Sequence, residues 1–113
     1  MANLDAIFHS LADTTRRAVL ARLALGPASV SELAAAHTMA LPSFLKHLRV
    51  LEDSALIETT KSGRVRTCRL RPEAARLAED WLGQQRRLWE ARLDQLDAFL
   101  AQQPTDEGRC DEE

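Results

Sequence analysis

The apolar residues at the start of the chain recur at the spacing of one helix face: Leu4, Ile7, Phe8 and Leu11. Asn3 stands just before them, where a short polar side chain can accept from a free amide of the first turn. Asp13 is placed to do the same for a second helix, which turns Val19, Leu20 and Leu23 inward and leaves Arg16, Arg17 and Arg22 elsewhere. That helix must stop at Gly26-Pro27. Ser29-Val30-Ser31-Glu32 then has the form of a capping box and opens a third, short helix through ELAAAH. After a turn at His37 to Ala40, Pro42 suits the first turn of a fourth helix, PSFLKHLRVLED. Phe44, Leu48 and Leu51 share the inner side of that helix, which leaves Ser43, Lys46, His47 and Arg49 for its outer surface.

Beyond the fourth helix the pattern changes period. Ile57 to Lys61 and Val65 to Leu70 are strand-like runs joined through Ser62-Gly63-Arg64, which reads as a hairpin. Lys61, Arg64 and Arg66 make its tip basic, so a basic ribbon directly follows a helix-turn-helix, the arrangement known as a wing. Pro72 opens the last helix, of nearly thirty residues, whose Leu77, Trp81, Leu82, Leu88, Trp89, Leu93, Leu96, Phe99 and Leu100 keep helical spacing to about Gln103. Within it Trp89, Leu93, Leu96 and Leu100 step by four, three and four, a seam of coiled-coil type. The expected fold is mainly α with a small β-hairpin, a winged helix-turn-helix in the order α-α-α-α-β-β-α. It fills one domain over residues 1–103, and the polar, acidic tail 104–113 is expected to be disordered.

Composition adds partners to this outline. A chain of 113 residues with 45% apolar content suits one small soluble domain, and a long apolar helix on so small a body calls for a second copy. The net charge of -2 conceals an asymmetry. From Pro42 to Arg71 the cations Lys46, Arg49, Lys61, Arg64, Arg66, Arg69 and Arg71 face only Glu52, Asp53 and Glu58, whereas the tail carries five acids and one Arg. Local positive charge is what a polyanion meets. No apolar run approaches the roughly 18 residues of a membrane span, and the N-terminus lacks the basic start and apolar stretch of a signal peptide, so a cytoplasmic protein with reduced thiols is expected. Cys68 and Cys110 lie far apart, in no CxxC or zinc-finger pattern.

In order, FHSLADTTRRAVLARL, VSELAAAH, LKHLRVLEDSALIETTKSGRVRTCRL and EDWLGQQRRLWEARLDQLDAFL resemble the segments of the ArsR/SmtB family of winged-helix repressors, over about residues 4–100. The resemblance implies a homodimer joined by the first and last helices, through Leu4, Phe8, Trp81, Leu82, Trp89, Leu93, Leu96 and Leu100. It implies double-stranded operator DNA as the partner, met by Ser43, Lys46, His47 and Arg49 on the recognition helix and by Lys61, Arg64 and Arg66 on the wing. Arg16 and Arg17 are open to solvent, to ion pairs or to phosphate. Family members often carry Ser and Gln where this chain has Ala40 and Leu41, and Ser where it has Leu45. Those two leucines either pack on neighbouring helices or read thymine methyl groups.

The resemblance is to the branch without the usual metal sites: there is no cysteine between Glu32 and His37 and no histidine after His47. No metal or other cofactor is expected, and no effector is specified. Cys68 reads as a small hairpin residue, Cys110 as incidental. An enzyme is not expected, because neither a Gly-rich phosphate loop nor HExxH occurs and neither cysteine has a histidine placed to activate it. Beside the operator-binding repressor stand two alternatives: a winged-helix module that meets another protein, and a repressor responding to arsenite, metal or redox state through its thiols.

Overall fold

The computed structural model describes residues 3–102; the tail expectation and Cys110 lie outside them. Five helices and three short strands follow one another as α1 (Leu4–Leu11), α2 (Thr14–Leu23), β1 (Ala28–Ser29), α3 (Val30–Ala35), α4 (Leu41–Asp53), β2 (Ile57–Ser62), β3 (Val65–Leu70) and α5 (Pro72–Gln102). The winged helix-turn-helix order is as expected, with one addition. Ala28 and Ser29 pair antiparallel with Cys68 and Thr67, so the hairpin becomes a three-stranded sheet ordered β1-β3-β2. Two residues are too few to show a period of two, and the same Ser29 also caps α3.

The caps read from the sequence are formed. Asn3 Oδ1 accepts from the Ala6 amide at 2.8 Å and Asp13 Oδ2 from the Arg16 amide at 3.0 Å. Ser29 and Glu32 exchange both bonds of a capping box, and Pro42 lies in the first turn of α4. At the other end of α4 the chain leaves through a Schellman motif: the Leu56 amide donates to the Leu51 carbonyl and the Ala55 amide to that of Glu52. The motif needs a left-handed residue, and that residue is Ala55, at φ 65°. In the hairpin Ser62 pairs with Val65, and Gly63, at φ 62°, takes the first central position of the two-residue loop, as a type II′ turn requires.

Among the described residues, 3–79 pack around one core and 80–102 belong to a second unit. The core of the first unit joins Ile7 of α1, Val19 and Leu23 of α2, Leu33 of α3, Phe44, Leu48 and Leu51 of α4, and Ile57 and Cys68 of the sheet. The start of α5 joins it through Ala74 and Ala78. Two buried serines fasten α1 to the end of α4: Ser54 Oγ donates to the Leu51 carbonyl, and Ser10 Oγ lies 2.9 Å from Ser54 Oγ and 3.3 Å from the Val50 carbonyl. In the second unit none of the described residues is buried. Its Trp81, Leu82, Leu88, Trp89, Leu93, Leu96, Phe99 and Leu100 are 39–60% exposed.

Candidate nucleic-acid interface

The two faces of α4 differ in chemistry because its apolar residues stand three and four apart. Phe44, Leu48 and Leu51 hold the helix on the core, which turns Leu41, Pro42, Ser43, Lys46 and Arg49 to solvent. Two open grooves run along this outer face and share Leu45. One, of about 460 Å³, lies between α4, the start of α3 and the wing, lined by Val30, Leu41, Leu45, Arg64, Val65 and Arg66 together with Ser29 and Ser31. The other, of about 490 Å³, is lined by Pro42, Leu45, Lys46 and Arg49. The recognition-helix cations and the wing arginines thus border one continuous surface.

The basic residues divide into two groups. Glu58 takes Arg69, which faces it directly across the sheet, and also lies 3.7 Å from Arg71. Lys46, Arg49, Lys61, Arg64 and Arg66 are all exposed, and none is paired with a carboxylate among the described residues. Lys61 and Arg66 are even direct cross-strand partners. Like charges opposite one another destabilise a hairpin, and a polyanion laid against it would relieve that repulsion.

His47 occupies a different position from the other outer candidates. Its side chain is 23% exposed, and its Nδ1 lies 3.0 Å from Arg16 Nη1 and 3.7 Å from Asp13 Oδ2. A guanidinium has no acceptor, so Nδ1 must accept and the ring carries its proton on Nε2. Only Nε2 is left for a further partner. Asp13 is held below the usual carboxylate range, first by the hydrogen bond from the Arg16 amide and further by the positive charge of the Arg16 guanidinium.

Arg16 has a role that the helical pattern conceals. It is buried, its Nε donating to the Ser10 carbonyl and its Nη2 to the His9 carbonyl, both at 2.9 Å. Arg17 Nη1 reaches the Leu11 carbonyl at 2.8 Å. These are last-turn carbonyls of α1, which no residue of α1 itself can satisfy and toward which the helix dipole attracts a cation. Arg16 and Arg17 therefore cap α1 from α2 and face neither solvent alone nor a carboxylate partner. Periodicity places a residue on a face, but it does not reveal that a long side chain folds back under the preceding helix.

The dimer candidates are distributed over both units. Leu4 and Phe8 on α1 are half-buried, and the six on α5 are among its exposed apolar residues. Cys68 is fully buried in β3 with its Sγ 3.7 Å from Thr59 Oγ1. Burial pushes its thiol pKa up, the reverse of what a reactive thiolate needs. No three of His, Cys, Asp and Glu gather into a possible metal site among the described residues, and no helix there is long and apolar enough to cross a membrane.

Residues 11–60, which hold the helix-turn-helix and the first residues of β2, match the model of a helix-turn-helix domain family. A solved crystal structure of an ArsR family transcriptional regulator, RHA00566, is 55% identical, covers 80% of this chain and 97% of its own, and superposes with a TM-score of 0.74. The chain belongs to the ArsR family of transcriptional regulators. Two further relatives extend the comparison. The HTH-type transcriptional regulator Rv2034 of Mycobacterium tuberculosis is 40% identical over 68 residues, which are 60% of this chain and 64% of that protein, so the match spans less than two thirds of this curated relative. The homodimeric winged helix-turn-helix DNA-binding domain Mb0332 of Mycobacterium bovis, solved in solution, is 28% identical, covers 65% of this chain and 68% of its own, and gives a TM-score of 0.58. Within an ArsR-type winged helix, α3 and α4 are the helix-turn-helix and β2 and β3 the wing.

Proposed function

We propose that this ArsR-family chain is a cytoplasmic, non-enzymatic repressor that binds an inverted-repeat operator as a homodimer. The observation that carries the reading is the set of five exposed cations around α4 and the wing, without carboxylate partners among the described residues, on a chain whose net charge is negative. α4 enters the major groove, where Lys46 and Arg49 grip phosphate and Ser43 and the Nε2 side of His47 meet base edges or backbone. Lys61, Arg64 and Arg66 hold the flanking backbone or the minor groove beside it. The exposed apolar residues of α5, with Leu4 and Phe8, are covered by a second copy, a reading supported by the homodimeric state of Mb0332. Two recognition helices then fall about 34–36 Å apart, one turn of DNA, and the operator mirrors the twofold symmetry of the protein. Repression follows from covering the promoter.

The test is selection of genomic fragments by the full chain, followed by titration of the recovered sequence and a random duplex at several salt concentrations. The proposal expects the recovered sequence to bind about 10³-fold or more tightly than the random one. Equal affinity for the two duplexes at every salt concentration overturns it and leaves the protein-interaction module in its place.

A further inference from the structure

Leu41 is 54% exposed at the N-terminal end of the recognition helix, and Val65, on the first residue of β3, is 53% exposed. Both line the groove between α4 and the wing, with Leu45 four residues after Leu41 on the same side of the helix. Of these three, only Leu45 packs against the core. Exposed apolar residues scattered singly call for no explanation. This pair is not scattered: it sits in one groove whose other side chains include Arg64 and Arg66, and the adjoining groove carries Lys46 and Arg49. The groove therefore sets exposed apolar side chains beside cations. An apolar effector would use the first and leave the cations idle; a nucleic acid uses both.

The chemistry of the major groove narrows the occupant further. Donors and acceptors line the edges of all four base pairs there, and the only apolar group they present is the C5-methyl of thymine. We infer that Leu41, backed by Leu45 and Val65, is the specificity-determining contact of this interface and selects a thymine methyl in each operator half-site. The cations around it bind any sequence, because phosphates are everywhere alike. Against a methyl Leu41 buries apolar surface on both sides, whereas against a polar base edge it strips donors or acceptors of water without replacing their bonds, so its contribution discriminates between sequences. This inference rests on the proposed operator binding and adds to it the identity of one base.

Thymine and deoxyuridine differ by that methyl alone, which makes the exchange a direct probe. Synthetic duplexes of the selected operator are prepared with each half-site thymine replaced in turn by deoxyuridine, and binding is followed by fluorescence anisotropy. For the unaltered protein the replacement at one position weakens binding about fourfold per half-site, the value of one buried methyl group. Leu41→Ala binds the operator more weakly and no longer distinguishes thymine from uracil there. Leu41→Met, which keeps an apolar contact, restores the preference, and Lys46→Ala lowers affinity for both duplexes while keeping their ratio. Because Leu41 lies outside the core, circular dichroism of Leu41→Ala is expected to match the unaltered chain.

The inference is overturned if the unaltered protein is indifferent to every thymine-to-uracil exchange, if Leu41→Ala keeps the preference, or if the selected half-site contains no thymine. Specific binding without methyl dependence removes this inference alone. Failure to distinguish the operator from random DNA removes the repressor reading with it.

Discussion

The unit up to Glu79 and the part of α5 beyond it contain the same kinds of apolar residue and use them in opposite ways. In the first, Ile7, Phe44 and Leu51 are at most 1% exposed, and even the polar Ser10, Arg16 and Ser54 are buried with their hydrogen bonds made. In the second, Trp89, Leu93, Phe99 and Leu100 are each close to 60% exposed. A sequence in which large side chains repeat at helical spacing is thus complete in one region and unfinished in the other. The first region folds onto itself; the second presents the surface proposed above to meet another copy.

The contrast can be broken most forcefully at α5. The double substitution Leu93→Asp, Leu96→Asp places two charges per chain in the proposed dry interface, and is expected to weaken self-association by about 2–4 kcal/mol or more. Sedimentation should show monomers with the far-ultraviolet spectrum of the first unit retained. A dimer unchanged in mass would assign those residues to solvent instead.

The next effect belongs to the first unit. Arg16→Ala strands the carbonyl of Ser10, leaves that of His9 with only the Ala12 amide, and removes the donor to His47, which should lower the unfolding free energy by about 2–3 kcal/mol in denaturant titration. Arg16→Lys restores the charge without the forked geometry and should recover only part of it. An unchanged midpoint for Arg16→Ala would mean that the helix end is satisfied in another way.

A smaller effect appears in acid. The pKa of Asp13 is depressed in the folded chain, so its carboxylate contributes stability that is present above the unfolded value of about 3.9 and fades as pH falls through the folded value. The advantage of the unaltered chain over Asp13→Asn should therefore hold at neutral pH, begin to fade below about pH 4 and vanish once the pH is below the depressed folded value, in thermal melts. An advantage persisting far into acid would point to packing and not to charge. Smallest and opposite in sign is Ala55→Gly, which relieves a left-handed alanine and should raise stability by about 0.5–1 kcal/mol.

Much of this architecture is legible in the sequence, because caps and periodicity are local. Asn3, Asp13 and the Ser29-Glu32 box each concern residues within three of one another, and the spacing of Phe44, Leu48 and Leu51 sets which side of α4 faces out. What stays hidden depends on distant partners or on very short elements. Strand β1 has two residues, and it exists only because β3 lies beside it. Arg16 has the pattern of a surface cation until the end of α1 supplies its acceptors, and His47 has that of a wholly outward residue until Arg16 reaches its Nδ1. For Leu41 the sequence leaves packing and exposure both open; its position at the end of α4 decides for exposure.

The proposed DNA-binding surface is the outer face of α4 and the wing, and the salt dependence of operator affinity tests it most directly. Arg64→Ala and Lys46→Ala, compared with the unaltered dimer by anisotropy at a series of salt concentrations, should each lower affinity and flatten the slope of log affinity against log salt. The expected change is about one unit for each phosphate no longer gripped, hence about two per dimer. Unchanged affinities and slopes in both variants would contradict the assignment of this surface to DNA.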